Sequence, residues 1–214
     1  YYLRANLYLG GSTAEVQGTA GVYVSWASFM YTHTAISFGT PCDFLPLFSA
    51  DHDFNFRLVN KPDWFSLTWI AGIVYSKAHE VSRLTTTTLY YINRQDLTPN
   101  TGLHFGLDKW FVQYRIFFNI SWPGTVFTMS HLGIIGYGTE GNFITSLDIT
   151  GGQTGYQEQF TNRAASIERD FFGLTLNHRH WIGEDWGLFG SLGWSKVFKE
   201  YDIVHGMFGG FFDF

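Results

Sequence analysis

Asp51, Asp53, Asn55 and Arg57 take every second position of the stretch 48–58, with Phe48, Ala50, His52, Phe54, Phe56 and Leu58 on the alternate positions. In an extended chain, residues two apart project to one side, so one face carries carboxylates, an amide and a guanidinium while the other is apolar. Such a row does chemistry only where bulk water is restricted. Inside a closed sheet it would line a bore and select small solutes by charge, or its opposite charges would pair and plug the bore. The paired, structural role is preferred, because charges facing each other across a narrow space neutralise one another. By the same alternation Arg4, Asp108, Gln113, Arg115, Asn119, Asp148, Arg169 and Arg179 join this face, and Phe111, Phe117, Phe189 and Phe211 narrow the space it encloses.

Catalysis has weaker material. A hydroxyl nucleophile needs a His base within about 3 Å and a third group to orient it. Ser130 and His131 are adjacent, so a strand would send them to opposite faces. His52, His178 and His180 fall on the apolar side, where a His near a strand end reaches an interface. His178 and His180 share a face and could share a metal, but no third ligand follows in sequence, and anchoring by Trp181 with its basic neighbours explains them better. The single Cys42 can form no internal disulfide. No catalytic residue, metal or cofactor is expected.

Composition says what must position these residues. Of 214 residues, 20% are aromatic and only 14% charged, against about 25% charged in ordinary soluble domains. Mean hydropathy is -0.03, and no stretch approaches the roughly 20 consecutive apolar residues of a membrane helix. Interleaved polar and apolar residues fit a transmembrane barrel instead, whose strands have one lipid face and one interior face. A net charge of -5 with 13 scattered Lys and Arg gives no basic stripe for nucleic acid. No linker or charge run divides the chain, so residues 1–214 read as one domain. The chain starts at Tyr1 within a strand pattern, as expected if an export peptide has been removed or an earlier segment is missing.

The alternation places Trp69 and Tyr75 on the apolar face of 65–76, Trp110, Tyr114 and Phe118 on that of 110–121, and Trp186 and Trp194 on that of 186–195. With Phe54 and Phe56 these are predicted to face lipid, the aromatics at row ends forming girdles at the membrane–water interface. Further strands are predicted at 1–9, 20–38, 84–92, 102–107, 125–137, 142–150, 167–181 and 203–214, for a total of about twelve. A bend near Ser28 would split 20–38. The tight turns 107–109, 138–141 and 182–185 are expected on the periplasmic side, along with 39–47 and 78–83. Loops at 93–101 and 151–166 and the turn at Trp122-Pro123-Gly124 are expected outside. The fold class is therefore all-β, a closed antiparallel transmembrane barrel. A soluble aromatic-rich barrel binding carbohydrate would use the same alternation with the faces exchanged, but its polar face should carry more Lys and Glu.

The last stretch sets Val204, Gly206, Phe208, Gly210, Phe212 and Phe214 against His205, Met207, Gly209, Phe211 and Asp213. An aromatic final strand with a terminal Phe resembles the C-terminal signature of bacterial outer-membrane β-barrel proteins, where it serves as an assembly signal. Segment 103–156 is similar to the YaiO-like family through Leu107-Asp108-Lys109-Trp110-Phe111-Val112-Gln113-Tyr114-Arg115, Gly138-Thr139-Glu140-Gly141-Asn142-Phe143 and Gly151-Gly152-Gln153. The rest of the chain matches only as alternating strands, and Ser130-His131-Leu132-Gly133 replaces a more basic stretch. The resemblance implies residence in the bacterial outer membrane, contact with its lipids and lipopolysaccharide, recognition by the barrel-assembly machinery through Phe214, and envelope protein partners. The expected role is a narrow channel or a barrel subunit of an envelope assembly. The rival is an outer-membrane lipid-modifying enzyme of the acyl hydrolase type.

Overall fold

The structure, a computed structural model, describes residues 2–10, 13–39, 47–61, 64–83, 89–158, 165–197 and 201–213. Its strands are β1 (Tyr2–Gly10), β2 (Thr13–Ala27), β3 (Met30–Gly39), β4 (Phe48–Lys61), β5 (Phe65–Arg83) and β6 (Leu89–Leu107). They continue as β7 (Trp110–Trp122), β8 (Val126–Thr139), β9 (Phe143–Glu158), β10 (Ala165–Trp181), β11 (Trp186–Val197) and β12 (Tyr201–Asp213). Each pairs antiparallel with its sequence neighbours, and β1 also pairs with β12, Tyr2 opposite Asp213, so the hydrogen-bonded order closes on itself. Closure leaves no strand with an unpaired edge.

Short turns gather at one end, which we call the near end: Ser28–Phe29, Asp108–Lys109, the turn around Gly141 and the one around Gly183. At the other, far end the hairpins are taller. Strands β5 and β6 have 19 residues each, where about 9–11 cross a bilayer. Residues 78–83 pair only with β6, beyond the last β4 partner, so the surplus projects past the far rim.

Two strand boundaries differ from the sequence expectation. The stretch 20–38, counted as one strand, belongs to two, split at the bend suggested near Ser28: a register shift between Ser25 and Ala27 precedes the turn Ser28–Phe29. Conversely, the two strands and a loop expected over 84–92, 93–101 and 102–107 are one strand as far as they are described, since β6 runs unbroken from Leu89 to Leu107 and 84–88 lie outside the described residues. Pro99 made that stretch look like a loop. It is accommodated because the β6–β7 register skips Thr98 and Pro99, a local gap that suits a residue without an N–H. The extra hairpin at Ser28 also moves the β3–β4 and β5–β6 strand ends to the far end, opposite to expectation, the connecting residues 40–46 and 84–88 themselves lying outside the described residues. Of the loop expected at 151–166, residues 151–158 are strand β9.

The faces are the reverse of a soluble barrel's. Phe212 is 55% exposed while its neighbour Phe211 is 2% exposed, and the same alternation recurs along β7, β8 and β11. Trp69, Trp110, Tyr114, Phe118, Trp186, Trp194, Phe54, Leu192 and Phe208 all point outward and stay exposed, whereas Asn55, Thr68, Asn100, Ser121 and Thr128 are buried inside. Outward Phe56 stacks on Trp69 at 5.3 Å, and Tyr75 lies 6.1 Å from Phe48. Phe214 lies outside the described residues. Aromatics gather in two rings. Trp110 and Tyr137, 4.9 Å apart, join Trp186 and Phe212 near the short turns. Phe38 with Phe48 at 5.3 Å and Phe172 with Trp194 at 6.3 Å mark the other ring. From Trp186 to Trp194 is about 26 Å along the strand at about 3.3 Å per residue, which a tilt of about 35–45° shortens to about 20 Å. That is close to the height of an outer-membrane apolar band.

Gly138 has φ 134°, and a Cβ there would run into the Phe143 carbonyl oxygen across the β8–β9 turn. Gly138→Ala is expected to lower stability by at least about 2 kcal/mol, measured by urea unfolding in lipid vesicles. Leu192→Arg, in the middle of the outward band, is expected to cost about 2–4 kcal/mol in the same assay; a change near zero would mean that this face meets water.

Candidate functional site

The interior is organised around Arg115. Its Nη1 donates to Asp53 Oδ2 at 3.0 Å and its Nη2 to Asp53 Oδ1 at 2.6 Å, a bidentate pair, while its Nε donates to Asn100 Oδ1 at 3.1 Å. Asp53 is on β4 and Arg115 on β7, so the side chain crosses β5 and β6 along the wall. Two glycines make this possible. Gly102 stands opposite Arg115, where a Cβ would come 2.6 Å from Arg115 Cγ, and Gly72 stands opposite Asp53, where a Cβ would collide with the carboxylate. The guanidinium therefore lies flat over bare backbone and does not project into the bore. Both charged side chains are largely covered, at 13% and 14% exposure.

Above it, toward the far rim, Arg94 Nε donates to Asp96 Oδ1 at 2.9 Å, and Ser121 also donates to Asp96. Asn119 links strands by accepting from Thr98 at 3.3 Å and donating to Ser130 at 3.2 Å. Arg94, Asp96, Thr98, Asn119 and Ser130 border a cavity of about 390 Å³ whose wall continues through Gln153, Phe171 and Ser195 on the opposite strands. Elsewhere on the inner wall His33 Nδ1 approaches Asp51 at 3.3 Å, and Ser146 donates to Asp148 at 3.1 Å. The near end is aromatic. Arg179 lies 3.7 Å from the Phe211 ring centre and 4.2 Å from that of Trp181, and the two rings meet edge to face at 5.2 Å. His104 stacks on Phe111 at 5.7 Å and hydrogen-bonds Gln113.

The structure brings Asp53 and Arg115 together and sets Asp51, Asn55, Gln113, Asn119, Asp148, Arg169 and Arg179 on the inner wall with them, spread over its height. Arg57 sits at the near mouth instead, exposed, over the Tyr31 ring at 5.2 Å and donating to the Ser28 carbonyl at 3.5 Å. Asp108 is not in the interior: it occupies the β6–β7 turn, exposed, with φ 51°. The side chain of Arg4 lies outside the described residues. Trp181 is no interfacial anchor, being 8% exposed and turned inward beneath Arg179. Sequence reasoning missed Arg94, Asp96, Asn100 and His33. The signal was present for three of them, since Arg94, Asp96, Thr98, Asn100, Gly102 and His104 alternate with Gln95, Leu97, Thr101, Leu103 and Phe105 once Pro99 is allowed within a strand.

Ser130 turns inward to Asn119 and His131 outward to the Tyr114 hydroxyl at 2.8 Å, so they do not meet. Two other hydroxyl–His pairs lie on the outer face, Thr34 with His52 at 2.7 Å and Thr145 with His178 at 2.8 Å. Among the described residues neither His has a carboxylate on its other nitrogen to orient it as a base, and no group of three metal-ligating side chains occurs. His178 and His180 stack at 6.1 Å on the outer face.

No family model matches the sequence, and no curated protein matches it. Solved structures do match in shape. The KdgM porin superposes with a TM-score of 0.62 at 7% identity, over 100% of this chain and 99% of its own. The NanC porin gives 0.59 at 8% identity over 99% and 100%. The outer membrane phospholipase A of Escherichia coli gives 0.55 at 10% identity over 99% and 91%. The fold is that of outer-membrane β-barrels. Porins and an enzyme share it, so the fold does not choose between them.

The Asp53–Arg115 pair can be weighed directly. A double-mutant cycle with Asp53→Asn and Arg115→Met is expected to give a coupling of about 1–2 kcal/mol in vesicle unfolding, less than for a fully buried pair because both side chains keep some exposure. Gly102→Leu should abolish most of that coupling by evicting the guanidinium from the wall.

Proposed function

We propose that this chain is an integral outer-membrane barrel acting as a narrow channel for small polar solutes. The observation that carries the reading is an inner wall of hydroxyls, amides and charges with a cavity at the far end, enclosed by an outer face whose exposed band is apolar and girdled. The barrel sits in the bacterial outer membrane, with the short turns facing the periplasm and the tall hairpins facing outward. Its lipids and lipopolysaccharide contact the exposed band, and the last strand with Phe214 is the segment that the assembly machinery reads. Membership of the YaiO-like family rests on the motifs of 103–156.

The KdgM porin has been solved in complex with disordered oligogalacturonate. A similar role for this chain is limited by its charge arrangement, because Arg94 and Arg115 are each held by a carboxylate at hydrogen-bond distance. Paired charges produce a weak field along the axis, and the channel should discriminate little between anions and cations. In planar bilayers under a tenfold KCl gradient, the wild-type reversal potential is expected near zero. Asp53→Asn should shift it toward anions by releasing Arg115, and Arg115→Gln should shift it toward cations. A folded barrel that passes no current would reject the channel in favour of a side-chain-filled subunit of an envelope assembly, to be sought by copurification.

A further inference from the structure

The far-end cavity can be read for the chemistry of what it holds. Its one cation and one anion neutralise each other: Arg94 and Asp96 are two residues apart on β6, bonded at 2.9 Å, and Ser121 ties into both, donating to Asp96 while accepting from Arg94 Nη2 at 3.5 Å. The remaining polar wall is made of hydroxyls and amides, each able to donate and to accept. Asn119 holds Thr98 at 3.3 Å and Thr128 at 3.4 Å, long bonds that a ligand hydroxyl can replace without leaving a group unpaired. Across the cavity Phe171 supplies a flat apolar surface. The volume, about 390 Å³, lies at the lower end of the roughly 300–1,000 Å³ of small-ligand sites.

We propose that this cavity is a binding site for an uncharged sugar of one or two rings, an inference that rests on the channel reading for how the sugar arrives there. The ring hydroxyls exchange hydrogen bonds with Asn119, Ser130 and Ser195, and the apolar face of the ring lies on Phe171. An acidic sugar is disfavoured, because to reach Arg94 its carboxylate would have to displace Asp96, leaving that half-buried carboxylate only the Ser121 hydroxyl.

Isothermal titration of the folded barrel, in a zwitterionic detergent without a sugar head group, tests this. Sucrose or maltose is expected to bind with a millimolar Kd and digalacturonate at least about tenfold more weakly. Asn119→Leu and Phe171→Ala should each weaken the neutral disaccharide about tenfold. Equal or tighter binding of digalacturonate, no heat with any of these sugars, or unchanged affinity in both variants would overturn the proposal. The preference for the neutral sugar needs no variant, so a variant that fails to fold does not spoil the test. Conduction is read separately in bilayers: heat without current would retain the site and reject the channel, and current without heat would do the opposite.

Discussion

Closure of the sheet between β1 and β12 is the constraint from which the other features follow. In hydrocarbon an unpaired N–H or C=O has no water to turn to, so a sheet can cross a bilayer only if its last strand finds its first. Once the ring is shut, every strand has one face toward lipid and one toward the bore. Period-two alternation then stops being a preference and becomes a sorting rule. It explains why Phe211 and Phe212, chemically identical neighbours, differ so completely in exposure, and why so few large apolar side chains are buried in a protein this aromatic. The apolar core of a soluble protein is replaced here by the bilayer.

The same rule sets a problem inside. Twelve strands enclose limited space, and inward side chains compete for it. Glycine on a neighbouring strand resolves the competition at the height of Arg115, where Gly102 and Gly72 allow a long cation to lie along the wall and reach a carboxylate three strands away. A bulkier residue at either position would push the guanidinium toward the axis, turning a brace on the wall into an obstruction. Whether a bore conducts is thus decided as much by where glycine stands as by which charges are present.

The faces were legible in the sequence wherever the outward row was bulky and unbroken, as in 48–58, 110–121 and 186–195. They were illegible where the cue was local and misleading. Pro99 reads as a breaker, yet it falls where β6 makes no register partner with β7; Ser28 gives only a faint turn cue, enough to suggest the bend that splits 20–38 but not to count two strands there. One merged pair of strands and one split strand offset each other, so the expected number came from two boundary errors of opposite sign. Parity alone placed Trp181 with Arg179, and its aromatic type wrongly suggested an interface. The Asp53–Arg115 pair lay beyond any sequence argument, since it depends on the stagger of four successive strands, a quantity fixed by closure of the whole ring.

The two ends of the bore differ in kind, and under the proposed channel function the order would matter for a solute entering from the far side. It first meets hydroxyls and amides that can replace part of its hydration, with the Arg94–Asp96 charges already compensated. It next passes Arg115 held on the wall, and last the aromatic near end, where Arg179 is fixed against Phe211 and Trp181. On that reading hydroxyls and amides gather where the solute would be captured and rings where it would leave, which would keep a weak binder from being trapped. A cation stacked on two rings has little freedom to swing into the path. If the barrel conducts as proposed, the near end would restrict passage by size, while the far end would distinguish solutes by their hydrogen bonding.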